Sequence, residues 1–241
     1  MDAEELQQLI QKYLARTASP AEQERLDKFV HDFLSSGVLK DARSLFINTC
    51  GEIFVSKSCR TLLMELKKEQ YPNLALEIIT NGQLCNRKAF DSLHLWKSLF
   101  RVTVSIDAAT AETYRVVRRG GDFGRLLANL EFLDHIRADE GEVFTLLLRF
   151  VVSALNFREM PAFVELAKRF HAVVDFTFLR NHGSFSLEEL KRLDMSNPGH
   201  PDYAEFLKIL EGEQLLDPCV NWCDLGHLKP EKVAPAAGSA A

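Results

Sequence analysis

The chain has 241 residues, 46% of them hydrophobic and 26% charged, the balance of an ordinary globular protein with ample length for a buried core. A formal charge of -5 and a pI near 5.8 argue against non-specific binding of nucleic acid, which needs clustered Lys and Arg. No apolar run approaches the roughly 20 residues of a membrane helix, Met1 to Gln11 lacks the apolar stretch of a secretory signal, and the five cysteines are not spaced as a disulfide framework, so a reducing cytoplasm is the expected compartment.

Taken in chain order, Asp2–Leu14 reads as a short polar helix. Ser19-Pro20-Ala21-Glu22 then joins a capping serine, a proline at the first helical position and a glutamate three residues on. The helix it opens carries Leu26, Phe29, Val30, Phe33 and Leu34 on one face, and Gly37 stops it. The apolar run Ser44–Ile47 follows. Helical Thr61–Lys68 precedes strand-like Leu74–Ile79, and helical Arg87–Trp96 precedes Val102–Ile106. The helix from Asp122, with Phe123, Leu126, Leu127, Leu130 and Leu133, leads to Phe144–Val152, and the helix Phe157–Phe170 leads to Val173–Phe178. Two further helices, Leu187–Leu193 and Tyr203–Leu210, precede a low-complexity tail, Ala234–Ala241, expected to be disordered.

Five apolar runs separated by helices, without strict alternation, predict strands buried on both faces of a parallel sheet with right-handed crossovers. Five units are too few for an eight-unit barrel, so the fold class is α/β, an incomplete barrel or an open doubly wound sheet. Such folds usually begin on a strand, so the helical start implies a missing first strand.

In these folds the site forms at the carboxyl ends of the strands. Here those ends carry Cys50-Gly51-Glu52, Thr80-Asn81-Gly82, Ser105 with Asp107, Ser153 with Asn156, and Arg180-Asn181-His182. Arg149 interrupts an otherwise apolar run. A buried guanidinium needs a partner or a wet cavity, and Asp107 on the preceding strand is the expected partner, whether the pair is a strut or a ligand-facing charge. The chain lacks a phosphate-binding P-loop, a dinucleotide fingerprint and a nucleophile elbow. Cys219, Cys223 and His227 are four apart and would share one face of a helix, but no fourth ligand accompanies them, and no metal site is assigned.

From Arg43 to Phe178 the chain resembles the radical S-adenosylmethionine (radical SAM) superfamily. Cys50-Gly51-Glu52 stands where that family has a Gly-Gly-Glu turn, and Ile79-Thr80-Asn81-Gly82 resembles its third strand. The most specific stretch is Val104-Ser105-Ile106-Asp107-Ala108-Ala109-Thr110-Ala111-Glu112-Thr113-Tyr114, running on to Arg118-Arg119-Gly120-Gly121-Asp122-Phe123. Phe150-Val151-Val152, Asn156 and Met160-Pro161 continue the agreement. The family is a (β/α)6 partial barrel. The resemblance implies that S-adenosylmethionine lies across the strand ends, bound by Gly51, Glu52, Asn81, Ser105, Asp107, Arg118 and Asn156. It also implies a 4Fe–4S cluster held by a C-x-x-x-C-x-x-C motif after the first strand. That motif is absent: no cysteine precedes Cys50, and Cys219 and Cys223 begin the spacing at the wrong place, with Gly226 in the third position.

The expected organisation is therefore N-terminal helices over 1–40, a radical SAM-type partial barrel lacking its first strand over 41–183, a helical extension over 184–230 and a disordered tail over 231–241. The implied function is reductive cleavage of S-adenosylmethionine for radical chemistry on a small molecule or peptide, with the cluster cysteines supplied by a missing segment or a partner. The alternative is a non-catalytic barrel that binds a ligand or a protein. A cluster-free aldolase-like barrel would need a catalytic Lys or a metal set that the sequence does not offer.

Overall fold

The computed structural model describes residues 19–47, 52–181 and 185–230. The expected helix Asp2–Leu14, the tail from Glu231, Gly51 and His182 lie outside the described residues, as does the side chain of Glu22 in the expected cap.

Among the described residues six parallel strands alternate with helices in an open sheet that keeps chain order, consistent with an incomplete α/β barrel. The strands are β1 (Ser44–Ile47), β2 (Ala75–Thr80), β3 (Leu99–Ser105), β4 (Thr145–Val152), β5 (Val173–Phe178) and β6 (Val220–Asn221). Five stand where the apolar runs predicted them. The sixth was not foreseen: Val220 and Asn221 pair with Val174 and Asp175, and only Cys223–Leu228 coils, as a 3-10 helix, so Cys219, Cys223 and His227 do not share one helix face. Two residues of strand carry no readable period, so the pairing is tertiary.

The helices are α1 (Pro20–Ser35), α2 (Lys57–Glu65), α3 (Arg87–Ser92), α4 (Ala111–Val117), α5 (Phe123–Asp139), α6 (Met160–Arg169), α7 (Leu187–Leu193) and α8 (Tyr203–Leu210). Several bounds differ from expectation for local reasons. α2 starts four residues earlier than Thr61 because the Ser56 hydroxyl accepts from the Cys59 amide. α3 ends at Ser92 instead of Trp96, where His94 and Lys97 turn left-handed at φ 52° and 58°. Buried Glu142 secures that break by accepting the Lys97 amide with both oxygens, at 2.9 and 3.1 Å.

The chain forms two compact units. The first comprises the residues up to Ser105 together with Asp122–Leu147, and the second Ile106–Gly121 together with Leu148 onward. In the first, β1 pairs with β2 and β2 with β3. Its core joins Ile78, Val102 and Val104 of the strands to Leu126, Leu130 and Leu133 of α5, all fully buried. Phe90 meets Trp96 and Phe132 edge-on at 5.3 and 5.2 Å, and Arg87 covers both of the latter rings while paired with Glu140. α1 is less embedded than its apolar face suggested: Leu26 is buried, but Phe29 is 40% exposed and Val30, Phe33 and Leu34 are half-buried. Gly37, at φ 76°, ends the helix region as expected.

In the second unit Phe150, Phe163 and Phe176 interlock, with centroids 4.9 to 6.2 Å apart, and join α6 to β4 and β5. Tyr114 of α4 is buried and lies against Gly121, where an added Cβ would fall 2.7 Å from the ring. This explains one glycine of the Gly120-Gly121 pair. No helix among the described residues is long and apolar enough to cross a membrane.

Candidate functional site

Two clusters contain the residues expected at strand ends, one in each unit. In the first unit Glu52 follows β1 and Thr80 ends β2. Glu52 Oε1 accepts the Thr80 hydroxyl at 2.6 Å, and Oε2 accepts the Asn81 amide at 2.7 Å. Burial pushes the Glu52 carboxyl above the usual carboxylate range, although these hydrogen bonds oppose it. Thr80 Oγ1 in turn accepts the Gly82 amide, and Asn81 Oδ1 accepts the Gln83 amide. Gly82 is left-handed at φ 76° and its carbonyl accepts from Asn129 Nδ2 at 2.7 Å. The Thr-Asn-Gly run is therefore a tied turn that fixes Glu52. Ser105, half-buried, closes β3.

The second unit contains a cleft of about 1990 Å³ lined by Asp107, Arg118, Arg149, Val151 and Asn156 among others. Asp107 is its organising residue. It is left-handed at φ 63°, a conformation that costs a non-glycine residue about 1–2 kcal/mol and that persists only where surroundings enforce it. The enforcement is visible. Its Oδ1 accepts the Val151 amide at 2.8 Å, Oδ2 pairs with Arg118 Nη2 at 2.5 Å, and its carbonyl accepts Asn156 Nδ2 at 2.9 Å. Asn156 also donates to the Val151 carbonyl and accepts from the Ser153 amide and hydroxyl, so its side-chain amide is fully used. Burial holds the Asp107 carboxyl above the usual range, against the opposing pull of Arg118, the Val151 amide and Arg149.

The sequence reading placed Arg149 against Asp107. The structure corrects this: Arg149 Nη2 faces Asp175 Oδ2 at 3.4 Å, and Asp107 takes Arg118 instead. The left-handed turn at Asp107 brings its carboxylate to the Val151 amide and Arg118, while Arg149 meets the next strand, β5. Asp175 was missed, though it interrupts Val173–Phe178 much as Arg149 interrupts β4. Glu159 was also missed. Its carboxylate accepts the amides of Ala109 and Thr110 and the hydroxyls of Thr110 and Thr113, binding the first turn of α4. Burial alone would raise its pKa, but those four donors together hold it below the usual value. Its signal in the sequence was weak, since one exposed-looking glutamate before a helix is ordinary.

Thus the structure gathers Glu52 with Asn81, and Asp107 with Arg118 and Asn156. Among the described residues no group of three or more His, Cys, Asp or Glu side chains could hold a metal. Cys59 and Cys85 are buried, and the thiols of Cys219 and Cys223 are each pushed up to about 11, mainly by burial.

No protein-family model matches the chain. A GTP 3',8-cyclase of Petrotoga mobilis is 27% identical over 192 residues, which is 79% of this chain and 54% of that protein. The archaeal TYW1 structure aligns with 79% of this chain and 58% of its own, at 16% identity and a TM-score of 0.40. The cyclase belongs to the superfamily whose strand-end motifs this chain carries in order. The similarity to this cyclase supports the resemblance to the radical SAM superfamily read from the motifs. The chain spans about half the length of the curated relative it matches.

Proposed function

We propose that this chain, by its resemblance to the radical SAM superfamily, binds S-adenosylmethionine, with Asp107 and Arg118 meeting the polar groups of the ligand and Asn156 holding the Asp107 turn in place. The observation that carries the reading is that the family's most specific stretch, Val104 to Phe123, builds the strained, fully hydrogen-bonded Asp107 turn and sets it on the wall of a cleft. Each carboxylate oxygen of Asp107 has one protein donor, which leaves a lone pair for a ligand hydroxyl or ammonium. Val151 and Phe178 add apolar surface beside these polar groups on the cleft wall. Gly51, Glu52, Asn81 and Ser105 are further candidates by the family motif, each to be tested by its own variant.

Asp107→Ala is expected to weaken binding of S-adenosylmethionine at least tenfold in calorimetry, the loss for one charge-assisted hydrogen bond being about 1.5–3 kcal/mol, while the fold persists. Unchanged affinity would remove Asp107 from the site.

The described residues do not fit an iron–sulfur cluster, because they offer no clustered ligand set. We therefore assign ligand binding to these residues and no radical step. Reductive chemistry on a small molecule or peptide would need thiolates from a further segment or a protein partner. Anaerobic reconstitution with iron and sulfide should leave the chain without stoichiometric iron. About four irons per chain would overturn that assignment. The same observation favours, as a second reading, a barrel that serves as a ligand- or protein-binding module.

A further inference from the structure

In the second unit α7 is held by polar ties more than by burial. Of its seven residues Leu193 alone is buried. Yet Ser186 and Glu189 close a capping box at its start, and the Leu193 carbonyl accepts the Ala154 amide at 2.9 Å. The Asp202 amide donates to Nδ1 of buried His200, which leaves Nε2–H to donate to the Arg192 carbonyl, both at 3.1 Å. A helix this short is marginal by itself, so these ties fix the surface it presents. That surface is apolar and basic. Leu187 is 76% exposed, and Lys191, one turn on along the same face, is exposed as well. The cleft beside α7 is lined by Val116 and Leu155, both about half exposed, and by Arg119, Lys191 and Arg192. Single exposed apolar residues are ordinary, whereas three on or beside one cleft mark a contact surface. The acids of the same wall are largely spent. Asp107 is paired with Arg118, Asp224 with Arg180 and Asp202 with Arg158. Glu189 closes the cap of α7, and its carboxyl is held below the usual range first by Ser186 and, at longer range, by Arg192 and Arg119. Glu188 remains against Arg119, Lys191 and Arg192, and none of these four forms an ion pair among the described residues. The patch is thus net positive on a chain whose formal charge is -5.

We propose that α7, with Arg119 and the apolar rim of the cleft, is a docking surface for an acidic peptide segment that carries leucine- or valine-like side chains. Acidic groups of the segment face Arg119, Lys191 and Arg192, and its apolar side chains lie on Leu187, Val116 and Leu155. Charge complementarity selects the partner, because a basic segment would meet three unpaired cations and one acid. The cleft, at about 1990 Å³, also has more room than the about 300–1,000 Å³ of a small-molecule pocket. The assignment goes beyond binding of S-adenosylmethionine and holds whether or not that ligand occupies the cleft.

The test is fluorescence anisotropy of the full chain, without S-adenosylmethionine, against three labelled octapeptides. One alternates glutamate with leucine, one has lysine in place of glutamate, and one has serine in place of leucine. The first is expected to bind, more weakly as salt rises, and each of the others to bind at least about tenfold more weakly. Lys191→Glu combined with Arg192→Glu should cut the affinity for the first peptide at least about tenfold, and Leu187→Ser severalfold. These side chains are exposed, so the fold should persist, as circular dichroism would register. Arg119→Glu, outside α7, should weaken the same peptide and decides the matter if the α7 variants unfold. No binding of the first peptide, equal affinity for the glutamate and lysine peptides, or folded variants that bind as the wild type does would overturn the proposal. So would binding to vesicles containing phosphatidylserine in place of the peptides, which would assign the surface to anionic lipid headgroups.

Discussion

Gly82 offers the sharpest test of how the strand-end turns are built. Its φ of 76° places it in the left-handed region, and a Cβ there would lie 2.6 Å from Leu126 Cδ1 and 2.8 Å from Val104 Cγ1. Both of those side chains are fully buried, so neither can swing into solvent. Gly82→Ala therefore carries two costs. The left-handed conformation adds about 1–2 kcal/mol, and forcing a methyl into a packed core adds about 1–3 kcal/mol. Lower entropy of the unfolded chain returns about 0.4–1 kcal/mol. The net expectation is a loss of about 2–4 kcal/mol. Gly141→Ala in the same unit isolates the first cost, since Gly141 has φ 74° and its added Cβ meets no atom within 4 Å. Urea unfolding of both variants, with equal m-values, should place Gly82→Ala below Gly141→Ala by about 1–3 kcal/mol. Equal losses would show that Gly82 is required for its backbone angle alone and would refute the packing argument.

Two further outcomes follow from titratable groups. Glu159 has a pKa held below its ordinary 4.5, so its contribution to stability is present above pH 4.5 and is lost as pH falls through the depressed value. Glu159→Gln should flatten that acid limb in pH-dependent unfolding, and an unchanged limb would mean that the Thr110 and Thr113 clamp does not act through charge. Cys223, pushed from 9.0 up to about 11 by burial and then by Asp175, should alkylate at pH 8 about a hundredfold more slowly than an ordinary thiol, as read by peptide mass spectrometry. Asp175→Asn should recover only part of that rate, because burial is the larger cause. Full recovery would contradict it.

The Asp107 turn shows where local reading stops. Ser105, Asp107 and Asn156 were legible as site candidates because polar groups at the ends of apolar runs stand out against the strands that carry them, whereas Arg118 was singled out only by the family resemblance. What each of them touches was not legible. Pairing Arg149 with Asp107 followed chain proximity, but the left-handed backbone at Asp107 turns its carboxylate to Arg118 and leaves Arg149 to Asp175.

The amino-acid sequence alone determined the α/β class, five of the six strands and the family motifs in their order, since hydrophobic runs, capping residues and turn glycines act over a few neighbouring positions. β6, the Glu159 clamp and the loose Arg149–Asp175 pair were decided only by tertiary structure. Each joins residues 26 or more positions apart. Across such a gap, the partner of a polar group is chosen by backbone geometry and burial, which no local pattern encodes.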